Sequence, residues 1–215
     1  IVYDGEQRIK DLEILDPYNI PMMKGMKDTY VDVKAVLDDN SKVIIEMQVL
    51  FHTSFEKRIL YNAAKNYSKQ LNKGDDYGLL NPVIALTIVD FEMFPETDKV
   101  ITKFKLLEKD KFIKYSDDIE LIFVELPKFK KSLDELEDIK DEWIYFVKNA
   151  GSLEYIPENF ENEIKKALSY VDEKCMSEEE LEAQYKRIEF LAIQKLAIDK
   201  AKKDGLKQGL EQGIE

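Results

Sequence analysis

Residues 30–49 have the sequence YVDVKAVLDDNSKVIIEMQV. They predict a β-hairpin, because two largely apolar runs flank the turn-forming segment DDNS. In the second strand Met47 points to one face, whereas Glu46 and Gln48 share the other. A buried carboxylate beside a buried amide is costly unless each finds a hydrogen bond or a metal ion. The hairpin therefore predicts a polar site on one face of a sheet.

The length of the turn decides whether Asp32 belongs to that site. A three-residue loop around Asp39 would pair Asp32 with Glu46 and place both on the face of Gln48. A two-residue loop would pair Asp32 with Met47 instead, and the two acids would lie on different faces. The sequence does not choose between these registers.

In the first register, a divalent cation would relieve the repulsion between the opposed carboxylates of Asp32 and Glu46. A hard cation such as Mg²⁺ takes oxygen ligands, typically one or two carboxylates with a backbone carbonyl and waters. The carbonyl of Met47 is well placed to be one of them. Such an ion could activate a water molecule and neutralise charge on a scissile phosphate.

Composition narrows the chemistry further. The single cysteine, Cys175, excludes a disulfide framework and a multi-cysteine zinc site, and it fits a reducing cytoplasm. The single histidine, His52, excludes a metal site built on a histidine pair. The chain lacks a P-loop, a dinucleotide-binding glycine motif and a nucleophile elbow. It also lacks a run long enough to cross a membrane and a signal-peptide pattern. The groups that remain available for chemistry are carboxylates, amides, lysines and a bound metal.

The segment after the hairpin is basic within an acidic protein. The formal net charge of −12 argues against nucleic acid, but local patches matter more than the total. Residues 54–74 predict a helix that Gly74 closes. Its apolar stripe consists of Phe55, Ile59, Ala63, Tyr67 and Leu71. The stripe predicted on the opposite side consists of Arg58, Asn62, Lys65 and Lys69. That polar stripe is either a solvated surface or a surface that guides DNA past the acidic hairpin.

Further strands and then helices follow. Residues 81–91 predict a central strand buried on both faces, 99–107 an edge strand and 118–127 another strand. Capping-box spacings at Ser132 and Ser177 predict helices, with a third over about 158–173. The last helix has an apolar stripe made of Leu181, Tyr185, Ile188, Ala192 and Leu196. The glycine repeat at the end is expected to fray, or less readily to pack between chains. We therefore expect a core over 1–130, a helical region over 131–203 and a tail over 204–215.

The hairpin motif, Asp32 followed by Glu46, Met47 and Gln48, resembles the PD-(D/E)xK nuclease superfamily. Within it, the chain resembles the recombination-promoting nuclease and transposase family. The likeness extends to FEKRILYNAAKNYSKQLNKGDDYGLLNPVIALTIVDFEMF, to ELIFVELPKF and to the glycine-repeat tail, and it covers most of the chain from about Asp11. It implies an α/β fold, a restriction-endonuclease-like mixed sheet flanked by helices with a helical C-terminal extension.

The resemblance also implies roles for individual residues. By position, Asp32 and Glu46 would hold Mg²⁺ or Mn²⁺, and Gln48 stands where the superfamily usually has lysine. An amide supplies no positive charge to the attacking water or the transition state, so Gln48 would orient the water or the substrate. Lys34, on the strand face of Asp32, is a substitute, and Arg58 or Lys65 from the following helix are alternatives.

A further acid often lies on an early helix in this superfamily. The nearby candidates Glu6, Glu13 and Asp16 do not match that motif.

The implied activity is metal-dependent hydrolysis of DNA, with the helix stripe from Arg58 to Lys69 guiding the backbone. Little in the sequence indicates base readout, so we expect low sequence specificity. The family name adds a role in recombination or DNA mobility. The alternative is a nuclease fold that has lost its chemistry and acts as an interaction module. The acidic charge, the missing lysine and a C-terminal helix able to self-associate would suit it. No membrane contact is expected.

Overall fold

The computed structural model of the protein describes residues 1–2, 12–15, 18–19, 29–30, 32–37, 39–50, 53–149, 160, 162–171 and 177–212. The chain divides into two compact units, Ile1–Lys130 and Lys131–Glu215. His52, Cys175, Glu6 and Asp16 lie outside the described residues, and Glu13 lies exposed in the first strand.

A mixed sheet forms the first unit. Its strands are β1 (Leu12–Leu15), β4 (Val33–Leu37), β5 (Lys42–Gln48), β6 (Val83–Val89), β7 (Ile101–Leu107) and β8 (Lys114–Glu125). Among the described residues, their spatial order is β1-β4-β5-β6-β8-β7. The central pairs β5–β6 and β6–β8 are parallel, and the outer pairs are antiparallel. Two short strands, β2 (Tyr18–Asn19) and β3 (Thr29–Tyr30), pair separately. The predicted α/β mixed sheet is confirmed.

Helix α1 (Phe55–Ser68) connects β5 to β6 and covers one face of the sheet. Its apolar side chains pack against alternate residues of the central strands, in a cluster of Ile44, Phe55, Ile59, Ala63, Val83, Ala85, Val89 and Phe123. The central position of β6 and the edge position of β7 are as predicted. The helix ends before the predicted Gly74, which lies in the following loop with a φ of 97°.

The β4–β5 hairpin adopts the register of the three-residue loop. Val33 pairs with Ile45, and the backbone N–H of Leu37 donates to the Ser41 carbonyl at 2.9 Å. Asn40 closes the loop with a φ of 65°, a left-handed conformation that asparagine tolerates better than most residues. Continued by one residue, this register sets Asp32 opposite Glu46, and parity places both on the face covered by α1.

The second unit is helical. Helices α2 (Ile139–Asn149) and α3 (Asn162–Val171) share a cluster around Phe146, Phe160 and Ile164. The predicted capping box is present, since the Ser132 N–H donates to Glu135 at 2.8 Å, but it begins a short 3₁₀ turn rather than α2.

Helix α4 (Glu178–Gln212) includes residues 204–212 of the predicted tail, and fraying of that tail stays a prediction. The helix continues through Gly205 and Gly209, because the residues between the glycines are good helix formers, whereas Gly213 lies outside the described residues. In the part of the chain that the structure describes, no helix has both the length and the apolar character required to span a membrane.

Candidate active site

Glu46 lies buried between β5 and α1, with 8% of its surface exposed. One carboxylate oxygen, Oε1, forms an ion pair with Nη2 of Arg58. The other oxygen, Oε2, lies 3.5 Å from the Asn62 amide nitrogen, at the long end of hydrogen bonding. Both partners belong to α1, so the helix that covers the sheet also holds this carboxylate.

Asp32 is fastened to the same strand. It lies exposed just before β4, and its Oδ2 accepts a hydrogen bond from the Met47 N–H at 2.7 Å. In an extended strand the N–H and C=O of one residue point to the same side. The Met47 carbonyl therefore lies on the Asp32 side of β5, while its half-exposed side chain points to the other face of the sheet.

The electrostatics of Glu46 are set by opposing influences. Burial raises the pKa of its carboxyl above the ordinary value. The Arg58 guanidinium and the Asn62 amide lower the pKa, and the Asp32 carboxylate raises it, so that the net shift is upward. In the absence of a cation, the ionised carboxylate is therefore less favourable here than in water.

Gln48 and Arg58 are joined by a hydrogen bond. The Gln48 Oε1 accepts from Arg58 Nη2 at 2.9 Å, and the Gln48 Nε2 donates to the Leu50 carbonyl at 2.9 Å. Both ends of the amide are fixed in this way. The guanidinium carbon of Arg58 also lies 5.0 Å from the centroid of the Phe55 ring, within the range of a cation–π contact.

Two polar atoms beside Glu46 are buried without a hydrogen bond. These are the Nε of Arg58 and the Oδ1 of Asn62, and no partner is within reach among the described residues. Native proteins pair nearly all buried polar groups, and the exceptions concentrate at sites that hold a ligand, an ion or a water. The described residues therefore leave part of the hydrogen-bonding capacity of this polar cluster unused.

The polar stripe predicted on α1 is not opposite the apolar stripe. Asn62 and Lys65 are buried at 1% and 4% exposure, whereas Arg58 and Lys69 are partly exposed. The reason is geometric, because side chains three and four residues apart share one side of a helix. Arg58 and Asn62 thus border the apolar stripe and reach Glu46. The Nζ of Lys65 lies 5.8 Å from the centroid of the Tyr61 ring.

Lys34 lies on the site's face of β4, opposite Ile44 and one same-face position along from the Asp32–Glu46 pair. Its positive charge acts on Lys42, whose pKa is lowered first by burial and then by Lys34. Lys34 thus lies between the Asp32–Glu46 pair and the positive charge of Lys42.

Sequence reasoning missed two features of this end of the sheet. It did not predict the hydrogen bond between Arg58 and Gln48. It also overlooked Glu125, a fully buried carboxylate that pairs with Lys128 at 2.8 Å and accepts the N–H of Met93 at 2.6 Å. A glutamate that directly follows the apolar run 121–124 and lies three residues before a lysine was the available signal.

The chain was compared with known families and proteins. A family model described as "PD-(D/E)XK nuclease family transposase" matches residues 1–201. The chain belongs to this family. The match confirms the resemblance drawn from the hairpin, and with it a restriction-endonuclease-like α/β fold and a function related to nucleases and transposases. No curated protein and no solved structure matches the chain.

PD-(D/E)XK nucleases generally use divalent metals, which raises the question whether the side chains and carbonyls of this site suit a divalent ion. Among the described residues, no three or more histidine, cysteine or acidic side chains gather into a metal site. Asp32, Glu46 and the Met47 carbonyl nevertheless form a set of oxygen donors only, which suits a hard cation that keeps several waters. The buried Oδ1 of Asn62, which has no hydrogen-bond partner among the described residues, is a further oxygen beside them. The residues present fit such an ion.

Proposed function

We propose that the protein is a metal-dependent endonuclease that hydrolyses DNA phosphodiester bonds with low sequence specificity. The observation that carries this proposal is the placement of Asp32 opposite Glu46, tied by the hydrogen bond to Met47. Two carboxylates held side by side in a protein that the family links to nucleases support a divalent-cation site rather than a structural pair.

Asp32, Glu46 and the Met47 carbonyl would hold Mg²⁺ or Mn²⁺. When bound, such an ion supplies an activated water and neutralises charge on the phosphate. The chain's own residues do the remaining work. Asn62 orients the Glu46 carboxylate. Because the neutral amide of Gln48 adds no charge of its own, Gln48 acts by positioning the guanidinium of Arg58.

The cation best supported for contact with the scissile phosphate is Arg58, which is already within hydrogen-bonding distance of Gln48. Lys34, on the site's face of β4, is the second cation. Of the four residues predicted to bind substrate, Arg58 and Lys69 keep exposed surface for the DNA backbone. Asn62 and Lys65 are buried, so we assign neither to the DNA backbone, and Asn62 instead holds Glu46.

The setting proposed for this activity is recombination or transposition in the cytoplasm. The family description supports a role in transposition or recombination, and the single cysteine supports a reducing compartment such as the cytoplasm.

Nicking of supercoiled plasmid tests the proposal. Wild type is expected to nick in Mg²⁺ or Mn²⁺ but not in EDTA, and Glu46→Gln is expected to abolish nicking. Glu56→Gln is the matched control, because Glu56 is an exposed carboxylate in the first turn of α1. Nicking that persists in Glu46→Gln, or that continues in EDTA, would rule out the proposed site.

A second candidate is an oligomerising interaction module on a nuclease fold. The observation that favours it is the exposed apolar stripe of α4, where Tyr185, Ile188 and Leu196 are each more than half exposed. Light scattering of wild type and Ile188→Glu tests self-association through α4. A dimer that Ile188→Glu dissociates, combined with absence of nicking in wild type under either metal, would favour this candidate over the endonuclease.

A further inference from the structure

The guanidinium of Arg58 lies where it must compete with any cation that Glu46 binds. We propose that Arg58 and the divalent cation exchange at Glu46. Without the cation, Arg58 pairs with Glu46. With the cation bound, Arg58 keeps its hydrogen bond to Gln48 and pairs with a DNA phosphate. This inference rests on the proposed function, and it makes Gln48 the positioning residue of Arg58.

The first support is that one nitrogen makes both contacts. Nη2 of Arg58 contacts Oε1 of Glu46 and Oε1 of Gln48. The first contact joins two charges, whereas the second joins a charge to a neutral amide. A change of charge at Glu46 therefore weakens the first contact and leaves the second in place.

The second support is the balance of charge. In the described structure, the negative charge of Glu46 contacts the guanidinium, and Asp32 lies near enough to Glu46 for its charge to act on it. A divalent cation between the two carboxylates would neutralise both of them. With no net negative charge left on the two carboxylates, the attraction that holds the guanidinium at Glu46 would be lost.

The third support is that Arg58 has room and unused hydrogen-bonding capacity. Its side chain is 40% exposed, yet its Nε is buried without a hydrogen-bond partner among the described residues. Phe55, which lies under the guanidinium, is 1% exposed and so provides a fixed support. A planar guanidinium on such a support matches a phosphate with two parallel hydrogen bonds.

The fourth support is the chemistry of position 48. Gln48 accepts a hydrogen bond from Arg58, which a lysine at this position could not do, since an ammonium group has donors and no acceptor. A lysine there would also repel the guanidinium. The amide at position 48 and the arginine at position 58 thus act together to bring a positive charge to the site.

Exchange has a thermodynamic consequence. If cation binding releases Arg58 for a phosphate, then the cation raises the affinity for DNA, and DNA raises the affinity for the cation by the same factor.

The experiment measures Mn²⁺ affinity by electron paramagnetic resonance of free Mn²⁺, using wild type, Arg58→Gln, Arg58→Lys and Asp32→Asn. Lys57→Gln is the matched control, because it removes the same charge from the neighbouring exposed position of α1. Arg58→Gln is expected to bind Mn²⁺ about 5- to 150-fold more tightly than wild type, the usual range for coupled ligands. Arg58→Lys keeps the competing charge, so its Mn²⁺ affinity is expected to lie between those of wild type and Arg58→Gln.

The second readout is the affinity for a labelled phosphorothioate duplex with and without Mn²⁺. The gain in affinity caused by Mn²⁺ is expected to shrink in Arg58→Gln and to persist in Lys57→Gln. Thermal melting of each variant checks that it is folded. The Arg58→Lys variant provides the same comparison if Arg58→Gln is not folded.

Three outcomes are decisive. Mn²⁺ affinity in Arg58→Gln no tighter than in Lys57→Gln would overturn the exchange, because it would mean that Glu46 serves both cations at once. If wild type still binds Mn²⁺ more tightly than Asp32→Asn, the proposed function survives that result. Equal Mn²⁺ affinity of wild type and Asp32→Asn would remove the metal site and the exchange together.

Discussion

Asp32 accepts a hydrogen bond from the backbone N–H of Met47, with 2.7 Å between Oδ2 and the nitrogen. The bond joins the residue that precedes β4 to the strand that carries Glu46. Because the donor belongs to the backbone, Asp32 is held beside Glu46 without the help of another side chain. The carboxylate keeps a second oxygen for another ligand.

Replacing Asp32 separates its charge from its hydrogen bond. Asp32→Asn retains an acceptor for Met47 and removes the charge, so nicking is expected to fall by about 100-fold or more with little change in stability. Asp32→Ala removes both and is expected to lose up to about 1 kcal/mol more than Asp32→Asn, since the site is exposed. Plasmid nicking and urea unfolding measure the two effects. Full activity in Asp32→Asn would show that the charge is not needed.

The raised pKa of Glu46 predicts a pH dependence of stability in the metal-free protein. Because burial raises this pKa in the folded state, the folded protein holds the Glu46 proton over a range in which the unfolded chain has released it. The contribution of Glu46 to the free energy of unfolding is therefore present at low pH and is lost as pH rises through the folded pKa.

Urea unfolding in EDTA, from about pH 4 to about pH 7, measures this contribution as the difference between wild type and Glu46→Gln. Wild type is expected to lose stability relative to Glu46→Gln as pH rises. The same comparison with Glu56→Gln, at an exposed position, controls for the general effect of removing a charge. A difference that moves in the opposite direction would contradict the cause assigned to the shift.

The buried pair of Glu125 and Lys128 is expected to hold the loop after β6. Glu125 accepts the N–H of both Met93 and Phe94, and removing one partner of a buried pair leaves the other charge uncompensated. Glu125→Ala is expected to cost about 3–5 kcal/mol of unfolding free energy. Glu108→Ala is the control, because Glu108 also accepts two backbone N–H groups but is exposed. Equal losses in the two variants would refute a role for burial.

The glycines of α4 are expected to weaken it. A methyl group added at Gly205 or Gly209 would meet nothing within 4 Å, so each change to alanine should stabilise the helix by up to about 1 kcal/mol. Gly74→Ala is the contrasting variant, since it also has free space but its φ of 97° disfavours a side chain. Amide hydrogen exchange along α4 and thermal melting report the two effects. Slower amide hydrogen exchange is expected in Gly205→Ala and Gly209→Ala, and a lower melting temperature is expected in Gly74→Ala.

Local patterns were enough to predict most of the sheet. The apolar run of β6 was identified as central because a strand buried on both faces shows no polar alternation. The motif of Asp32, Glu46 and Gln48, together with the longer stretches that resemble the family, identified the family. The register was out of reach, because it depends on the left-handed conformation of Asn40, which the sequence permits but does not require.

The contact of Arg58 with Gln48 was also out of reach. It depends on how α1 is rotated over the sheet, and the apolar stripe of the helix fixes that rotation only to within a side-chain width. For this reason the polar stripe was predicted to face away from the apolar one, whereas the two adjoin. Packing of Phe55 and Ile59 against the strands sets the rotation that turns Arg58 and Asn62 toward Glu46.

The hairpin loop makes the number of residues between the two acids as important as their identity. Strand side chains alternate, so a deletion between the acids leaves Asp32 beside Glu46 if the loop shortens to two residues. If β4 shifts by one position instead, Asp32 moves to the far face of the sheet. Both acids would still be present in such a sequence, and a search for the motif letters would still find them. Relatives with one residue fewer or more between the acids are therefore expected to be active where the loop takes up the change and inactive where the register of β4 shifts.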